Sequence, residues 1–246
     1  MEKEIGVYLT SVRPHLWGGL FESLSKNNVR FNVCITGPCP PIEPLPGNVK
    51  YIQTNVKPSQ CFFIAANNTM GDYILLSADD CRYSDGALDD LIKIITDKNK
   101  SMVSSVFLGS CEEHHIFTLD PSHYPHTRSI RLPFPLLVSP LMKREDFNNI
   151  GIDRNFIALF FELDILFEFI SLGGKTIVSE NSSCTELANS LHLVNIANGH
   201  GDYARLVDMW IENDKIRNHR RVPAEPLVYN NTVLSVSQGP KLDCWD

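Results

Sequence analysis

Tyr73-Ile-Leu-Leu-Ser-Ala-Asp-Asp-Cys81 decides the fold of this chain. An apolar run, preceded by the turn residues Met70-Gly71-Asp72, leads straight into two adjacent carboxylates, Asp79 and Asp80. A short continuous apolar run bounded in this way predicts a buried central strand of a parallel sheet. In open α/β sheets the ligand lies just beyond the carboxyl ends of the strands. Acids at that point are placed to hold a metal and, through it, an anionic ligand. The competing reading makes Asp79 the cap of a following helix and leaves Asp80 to solvent.

On either side of this run, strand and helix patterns alternate. Ile5-Gly-Val-Tyr-Leu-Thr10 reads as a first strand, turned by Ser11-Val-Arg-Pro14. Leu16, Leu20 and Leu24 recur every fourth residue and predict an amphipathic helix over 17–25, closed by Asn27-Asn28. Alternation in Val29-Arg-Phe-Asn-Val-Cys-Ile35 predicts a second strand, stopped by Thr36-Gly37-Pro38. A proline-rich loop over 38–46, a short strand over 49–53 and a small-residue helix over 60–69 lead into the carboxylate strand. Beyond it, Leu88, Leu91, Ile92 and Ile95 share one face of a helix over 85–96, and 102–108 reads as a strand. This order predicts an α/β fold with a mostly parallel, Rossmann-like central sheet flanked by helices.

From 109 to 135 the period is lost among histidines, prolines and acids, a long loop of the kind that carries function. A strand over 136–142 and a helical turn over 145–149, closed by Gly151, follow. Then come a helix over 162–172 stopped by Gly173-Gly174, a strand over 175–179 and a late helix over 201–215. Residues 222–246 read as an extended tail.

The 246 residues suit one substantial α/β domain. A formal charge of −7 argues against a broad nucleic-acid footprint. No apolar run is long enough to span a bilayer, so no transmembrane segment is expected, and Met1-Glu-Lys-Glu-Ile5 has none of the features of a signal peptide. Seven scattered cysteines without a Cys-x-x-Cys predict reduced thiols and a cytoplasmic protein.

Four collinear stretches resemble a GT-A glycosyltransferase of the family 2 type. Val7-Tyr-Leu-Thr-Ser-Val-Arg-Pro14 is similar to that family's opening nucleotide-binding edge. Ala65-Ala-Asn-Asn-Thr-Met-Gly-Asp-Tyr-Ile-Leu-Leu-Ser-Ala-Asp-Asp80 resembles its helix, Gly-Asp-Tyr and Asp-x-Asp run. Ser139-Pro-Leu-Met-Lys-Arg-Glu-Asp-Phe-Asn-Asn-Ile-Gly-Ile-Asp153 resembles its acceptor-side segment, and Phe161-Glu-Leu-Asp-Ile-Leu-Phe-Glu-Phe-Ile-Ser-Leu-Gly-Gly-Lys175 the acidic helix that carries its base. Two departures stand out. Ser77-Ala-Asp79 replaces Asp-x-Asp, and Phe161-Glu162-Leu163-Asp164 replaces Glu-Asp-x-Asp, which puts Glu162 at the place of the base.

The resemblance implies a single GT-A domain over 1–221, with a nucleotide-sugar-binding half over 1–108 and an acceptor half over 109–221. It implies transfer from a nucleotide-diphosphate sugar, a UDP- or GDP-sugar first, with inversion at the anomeric carbon. Transfer must neutralise a leaving diphosphate, which a hard cation such as Mn2+ or Mg2+ does. Asp79 is the candidate metal ligand, and Ser77, Ala78 and Asp80 complete the donor-side turn. The acceptor hydroxyl needs a base: Glu162 comes first and Asp164 second, since the two lie about 200° apart around a helix and form no dyad. Thr10, Ser11 and Arg13 end the first strand, where base and ribose belong. Gly37 permits close backbone approach, and Asn67 is a diphosphate or ribose contact. A third metal ligand, implied by the resemblance, falls on His200 or His192.

Bland readings stand beside these: a buried polar Ser77, a surface ion pair for Arg13, a helix-surface Asn67. Glu112-Glu-His-His115 with His123 and His126 fits no standard zinc spacing and reads as acceptor-side surface. Lys215-Ile-Arg-Asn-His-Arg-Arg221 reads as a solvated helix end, with contact to an anionic acceptor as the sharper alternative. The acceptor stays open among a glycan, a lipid-linked sugar, a protein and modified DNA. A nucleotidylyltransferase or a dehydrogenase would need a glycine-rich phosphate loop after the first strand, and Thr10-Ser-Val-Arg-Pro14 has no glycine. The rival outside enzymes is a degenerate GT-A module that binds without turnover.

Overall fold

The computed structural model describes residues 3–108, 118–119, 130–131, 137–150, 153, 155–158, 160–187, 201–202, 204–206 and 208–212. Strand β1 (Glu4–Thr10) is followed by a 3-10 turn at Pro14–Leu16, helix α1 (Trp17–Ser25), β2 (Arg30–Gly37) and β3 (Val49–Gln53). Next come α2 (Pro58–Asn67), β4 (Tyr73–Leu76), β5 (Cys81–Tyr83), α3 (Ala87–Thr96) and β6 (Ser101–Leu108). A two-stranded ribbon pairs β7 (Thr118–Leu119) with β8 (Ile130–Arg131). Strand β9 (Leu141–Lys143), helices α4 (Arg144–Asn148) and α5 (Phe161–Ser171), strand β10 (Lys175–Glu186) and a wide π-type turn at Asp208–Glu212 complete the order.

One eight-stranded sheet runs β3-β2-β1-β4-β9-β6-β10-β5. Strands β3, β2, β1 and β4 are parallel to their neighbours, as is the β6–β10 pair. The inserted β9 and the terminal β5 run antiparallel, so the sheet is mixed. Both faces of the parallel part are covered. Ile5, Val7, Leu9, Tyr73 and Leu75 pack with α1 and α3 on one side; Tyr8 and Ile74 pack with α2 and α5 on the other. Burial on two faces is why β4 reads as an unbroken apolar run rather than an alternating one.

Three elements depart from the sequence expectations. Asp79 caps no helix, because the chain turns directly from β4 into β5, with Cys81 N bonded to Ala78 O at 3.2 Å. Strand β10 extends seven residues past the expected end at Ser179, through a register shift between Ser179 and Ser183. That bulge breaks the alternation on which sequence reading relies. In the expected late helix, 201–202 and 204–206 are helical, the backbone then widens at Asp208–Glu212, and 213–215 lie outside the described residues. The expected tail over 222–246 and most of the loop over 109–135 also lie outside them. Among the described residues no helix is long and apolar enough to cross a membrane.

The turn that launches β4 is clamped from outside the motif. Arg144, opening α4, donates to Gly71 O at 2.8 Å, Ala66 O at 3.1 Å and Thr69 Oγ1 at 2.8 Å. Gly71 has φ +108°, and a Cβ built there would lie 2.4 Å from Glu4 O. Gly86, at φ +73°, has open space where its Cβ would be. Gly71→Ala therefore lowers the unfolding free energy by about 3 kcal/mol, through strain and backbone collision together. Gly86→Ala, which meets strain alone, costs about 1 kcal/mol. Urea unfolding of the two variants checks the difference.

Candidate active site

The ends of β1 and β4 lie side by side, Tyr8 opposite Leu76, and Ser77 N continues the ladder to Tyr8 O at 3.1 Å. Residues 10–13 are thereby set against 77–80. Asp79 and Asp80 are 2% and 5% exposed, and both meet one cation, the guanidinium of Arg13. Arg13 Nε donates to Asp79 Oδ2 at 3.1 Å, and Nη2 reaches both Asp79 Oδ1 and Asp80 Oδ2, the latter at 2.8 Å. Ser11 Oγ donates to Asp79 Oδ2, while accepting from Trp17 Nε1 at 2.8 Å and Arg13 N at 3.0 Å. That hydroxyl is saturated, and it ties β1, α1 and the carboxylate turn together. Burial lifts the Asp79 carboxyl above its ordinary range, with the bonds from Arg13 and Ser11 pulling the other way. Arg82 braces the turn from behind, donating to Asp79 O at 3.0 Å, Cys81 O at 2.7 Å and Leu16 O at 3.0 Å.

Gly37 serves this cluster through the backbone. A Cβ at Gly37 would lie 2.1 Å from Ser11 O, so only glycine lets the end of β2 close on the residue that steadies Asp79. Its carbonyl accepts from Tyr51 OH at 2.6 Å and Thr54 N at 3.0 Å. Thr10 Oγ1 donates to Thr36 O at 2.8 Å. Ser77 is 2% exposed; its hydroxyl accepts from Tyr83 OH at 3.0 Å and turns into the fold. Ala78 is half-buried against the α1–α3 side of the core. Asn67 donates to Phe63 O at 3.0 Å, within its own helix. The structure thus brings together Ser11, Arg13, Asp79 and Asp80, with Thr10 and Gly37 at the margin, and gives Asn67 and Ser77 local partners.

Glu162 and Asp164 fall in the first turn of α5 and differ sharply. Asp164 is 1% exposed and accepts from Trp210 Nε1 at 2.7 Å, which fastens α5 to the 208–212 turn. Glu162 is enclosed at Oε2, which has no hydrogen-bond partner among the described residues. Burial pushes its carboxyl up from the ordinary 4.5 to about 7, its own backbone N–H opposing and Asp202 adding to the rise. It lies close enough to Tyr8 that its charge, after burial, raises the Tyr8 phenol, with Arg144 acting against it. Asp202 itself accepts from the backbone N–H groups of Ile157 and Ala158, both at 2.8 Å, and so holds the approach to α5. His192 and His200 lie outside the described residues.

Trp17, Arg82, Asp202 and Tyr8 escaped the sequence reading. Only Trp17 left a signal, an indole six residues beyond Ser11 with an N–H to satisfy. Among the described residues no group of three or more His, Cys, Asp and Glu is arranged to hold a metal. Asp79 and Asp80, both buried, converge on one cation, and the guanidinium stands where such a charge belongs. Two carboxylates, with phosphate and water completing the shell, suit a magnesium-type ion.

No protein-family model and no curated protein sequence matches the chain. Among solved structures it is similar to S. aureus TarS, residues 1–349, at 14% identity and a TM-score of 0.52, over 76% of this chain and 60% of that one. The same TarS segment in complex with UDP aligns at 15% identity and a TM-score of 0.57, over 88% of this chain and 68% of that one. The likeness establishes a GT-A-type fold.

A raised carboxyl has a definite stability signature. Stability from protonated Glu162 is full below about pH 4.5 and is lost as pH climbs to about 7, because the folded chain holds the proton more tightly there. Glu162→Gln removes that slope. Above about pH 7 the variant is the more stable protein, by on the order of 2 kcal/mol after allowing for partial solvent access. Denaturant unfolding across pH 4–8 measures it.

Proposed function

We propose that this chain is a glycosyltransferase of the family 2 type, moving a sugar from a nucleotide-diphosphate sugar to an acceptor hydroxyl with inversion. The observation that carries the reading is the enclosed Glu162, poised near pH 7 at the head of α5 on a GT-A-type sheet whose β1 and β4 ends present Asp79 and Asp80. A general base works best when its pKa lies near the working pH. UDP in the similar TarS structure favours a UDP-sugar as the donor.

In this reading Glu162 accepts the hydroxyl proton as the acceptor oxygen attacks the anomeric carbon. The bond to the diphosphate breaks on the opposite face, and its electron pair leaves with the nucleotide. One displacement with one base inverts the centre. Asp79 and Asp80 would hold Mn2+ or Mg2+, whose part is to neutralise the departing diphosphate. Asp164, spent on Trp210, positions α5 rather than taking the proton.

UDP release from a panel of UDP- and GDP-sugars, with Mn2+ present, tests the proposal. Glu162→Gln lowers the rate by about 10²–10⁴-fold, with UDP affinity retained. The wild-type rate rises with pH and levels off above about 7, once Glu162 is ionised. No release from any donor, together with no thermal shift by UDP, would sink the reading and leave a binding module.

A further inference from the structure

Arg13 covers the two aspartates from the solvent side. Its side chain is 19% exposed, against 3% for Asp79 and 7% for Asp80. Its backbone is pinned, Arg13 N to Ser11 Oγ at 3.0 Å and Leu16 N to Arg13 O at 3.0 Å. Departure of the guanidinium therefore needs only side-chain rotation, with the β1–α1 turn left in place. Ser11 Oγ, which donates to Asp79 Oδ2, is held by Trp17 Nε1 and by the backbone N–H of Arg13 and not by the guanidinium.

Charge sets the order of events. Two carboxylates and one guanidinium leave the cluster with a single net negative charge, which repels a diphosphate. Arg13 cannot simply leave, because two buried carboxylates without a cation are strongly unfavourable. A divalent ion on the same oxygens neutralises both acids and frees the charge of Arg13. The face then becomes net positive. A guanidinium fork fits phosphate oxygens as it fits carboxylate oxygens.

We propose that Arg13 is a displaceable counter-ion: it competes with a divalent cation for the Asp79 and Asp80 oxygens and, once displaced, pairs with the diphosphate of the donor. The inference rests on the donor reading above. It makes one residue weaken metal binding and strengthen nucleotide binding. A merely structural arginine would weaken both, and a mere surface ion pair would change neither.

The test is calorimetric titration of the full chain with Mn2+ alone, and with UDP at saturating Mn2+, for wild type, Arg13→Met and Arg13→Lys. Arg13→Met is expected to bind Mn2+ about tenfold more tightly and UDP about tenfold more weakly, within the usual range of site coupling. Mn2+ should also raise its Tm by more than that of wild type. Arg13→Lys keeps the charge but loses the fork; it should bind Mn2+ more tightly with UDP affinity nearly retained, and it carries the comparison if Arg13→Met does not fold without metal. Unchanged or weaker Mn2+ binding in the folded variants overturns the competition, and unchanged UDP binding overturns the pairing with the diphosphate. Failure of wild type to bind UDP at any Mn2+ concentration overturns the donor reading and the second step with it, while the Mn2+ titration still decides the first.

Discussion

Two carboxylates almost sealed from water cannot stand side by side without a cation, and the architecture around Asp79 and Asp80 answers that constraint. Desolvation favours the protonated form of Asp79, while Arg13 and Ser11 favour its ionised one. Arg13 is effective because its backbone is fastened to Ser11, so its fork starts from a set position. Ser11 in turn is fixed by the Trp17 indole and by the close approach of Gly37. A single charge cluster thus organises β1, β2, β4 and α1.

The sheet makes this possible through parallel alignment. Strands β1, β2 and β4 all deliver their carboxyl ends to one edge, where the loops of three chain segments meet. Arg144 performs the converse task at the other end, anchoring the turn before β4 so that the strand enters in register. A strand of only four residues, Tyr73–Leu76, has little internal means of setting its own register. Its position comes from Gly71 and Arg144 below and from the Ser77 ladder bond above.

Much of this was legible in the sequence, for reasons that also explain what was not. Strands β1 to β4 and helices α1 and α3 have long enough periods, or clear enough punctuation, to be read directly. Strand β5 has three residues and no period, and it exists because β10 offers it an edge. The placement of Asp79 and Asp80 beyond a buried strand was readable. Their partner was not, because Arg13 and Asp79 stand 66 residues apart and meet only once β1 and β4 are in register. Ser77 shares the parity of Asp79 on an extended chain, yet the turn into β5 rotates its hydroxyl towards Tyr83. Gly37 was read as a ligand-facing glycine, whereas the close contact in the fold is with Ser11 O.

Asp79 and Glu162 illustrate two outcomes of burying a carboxylate. Asp79 is given a guanidinium and a hydroxyl, so its charge has partners. Glu162 Oε2 is given no partner, so burial is compensated by a proton held up to about pH 7. The same desolvation therefore produces a charge-holding group at the β1–β4 edge and a proton-holding group at the head of α5. Any chemistry that separates an anionic leaving group from a proton acceptor needs that division. The chain obtains it by choosing where to supply a cation and where to withhold one.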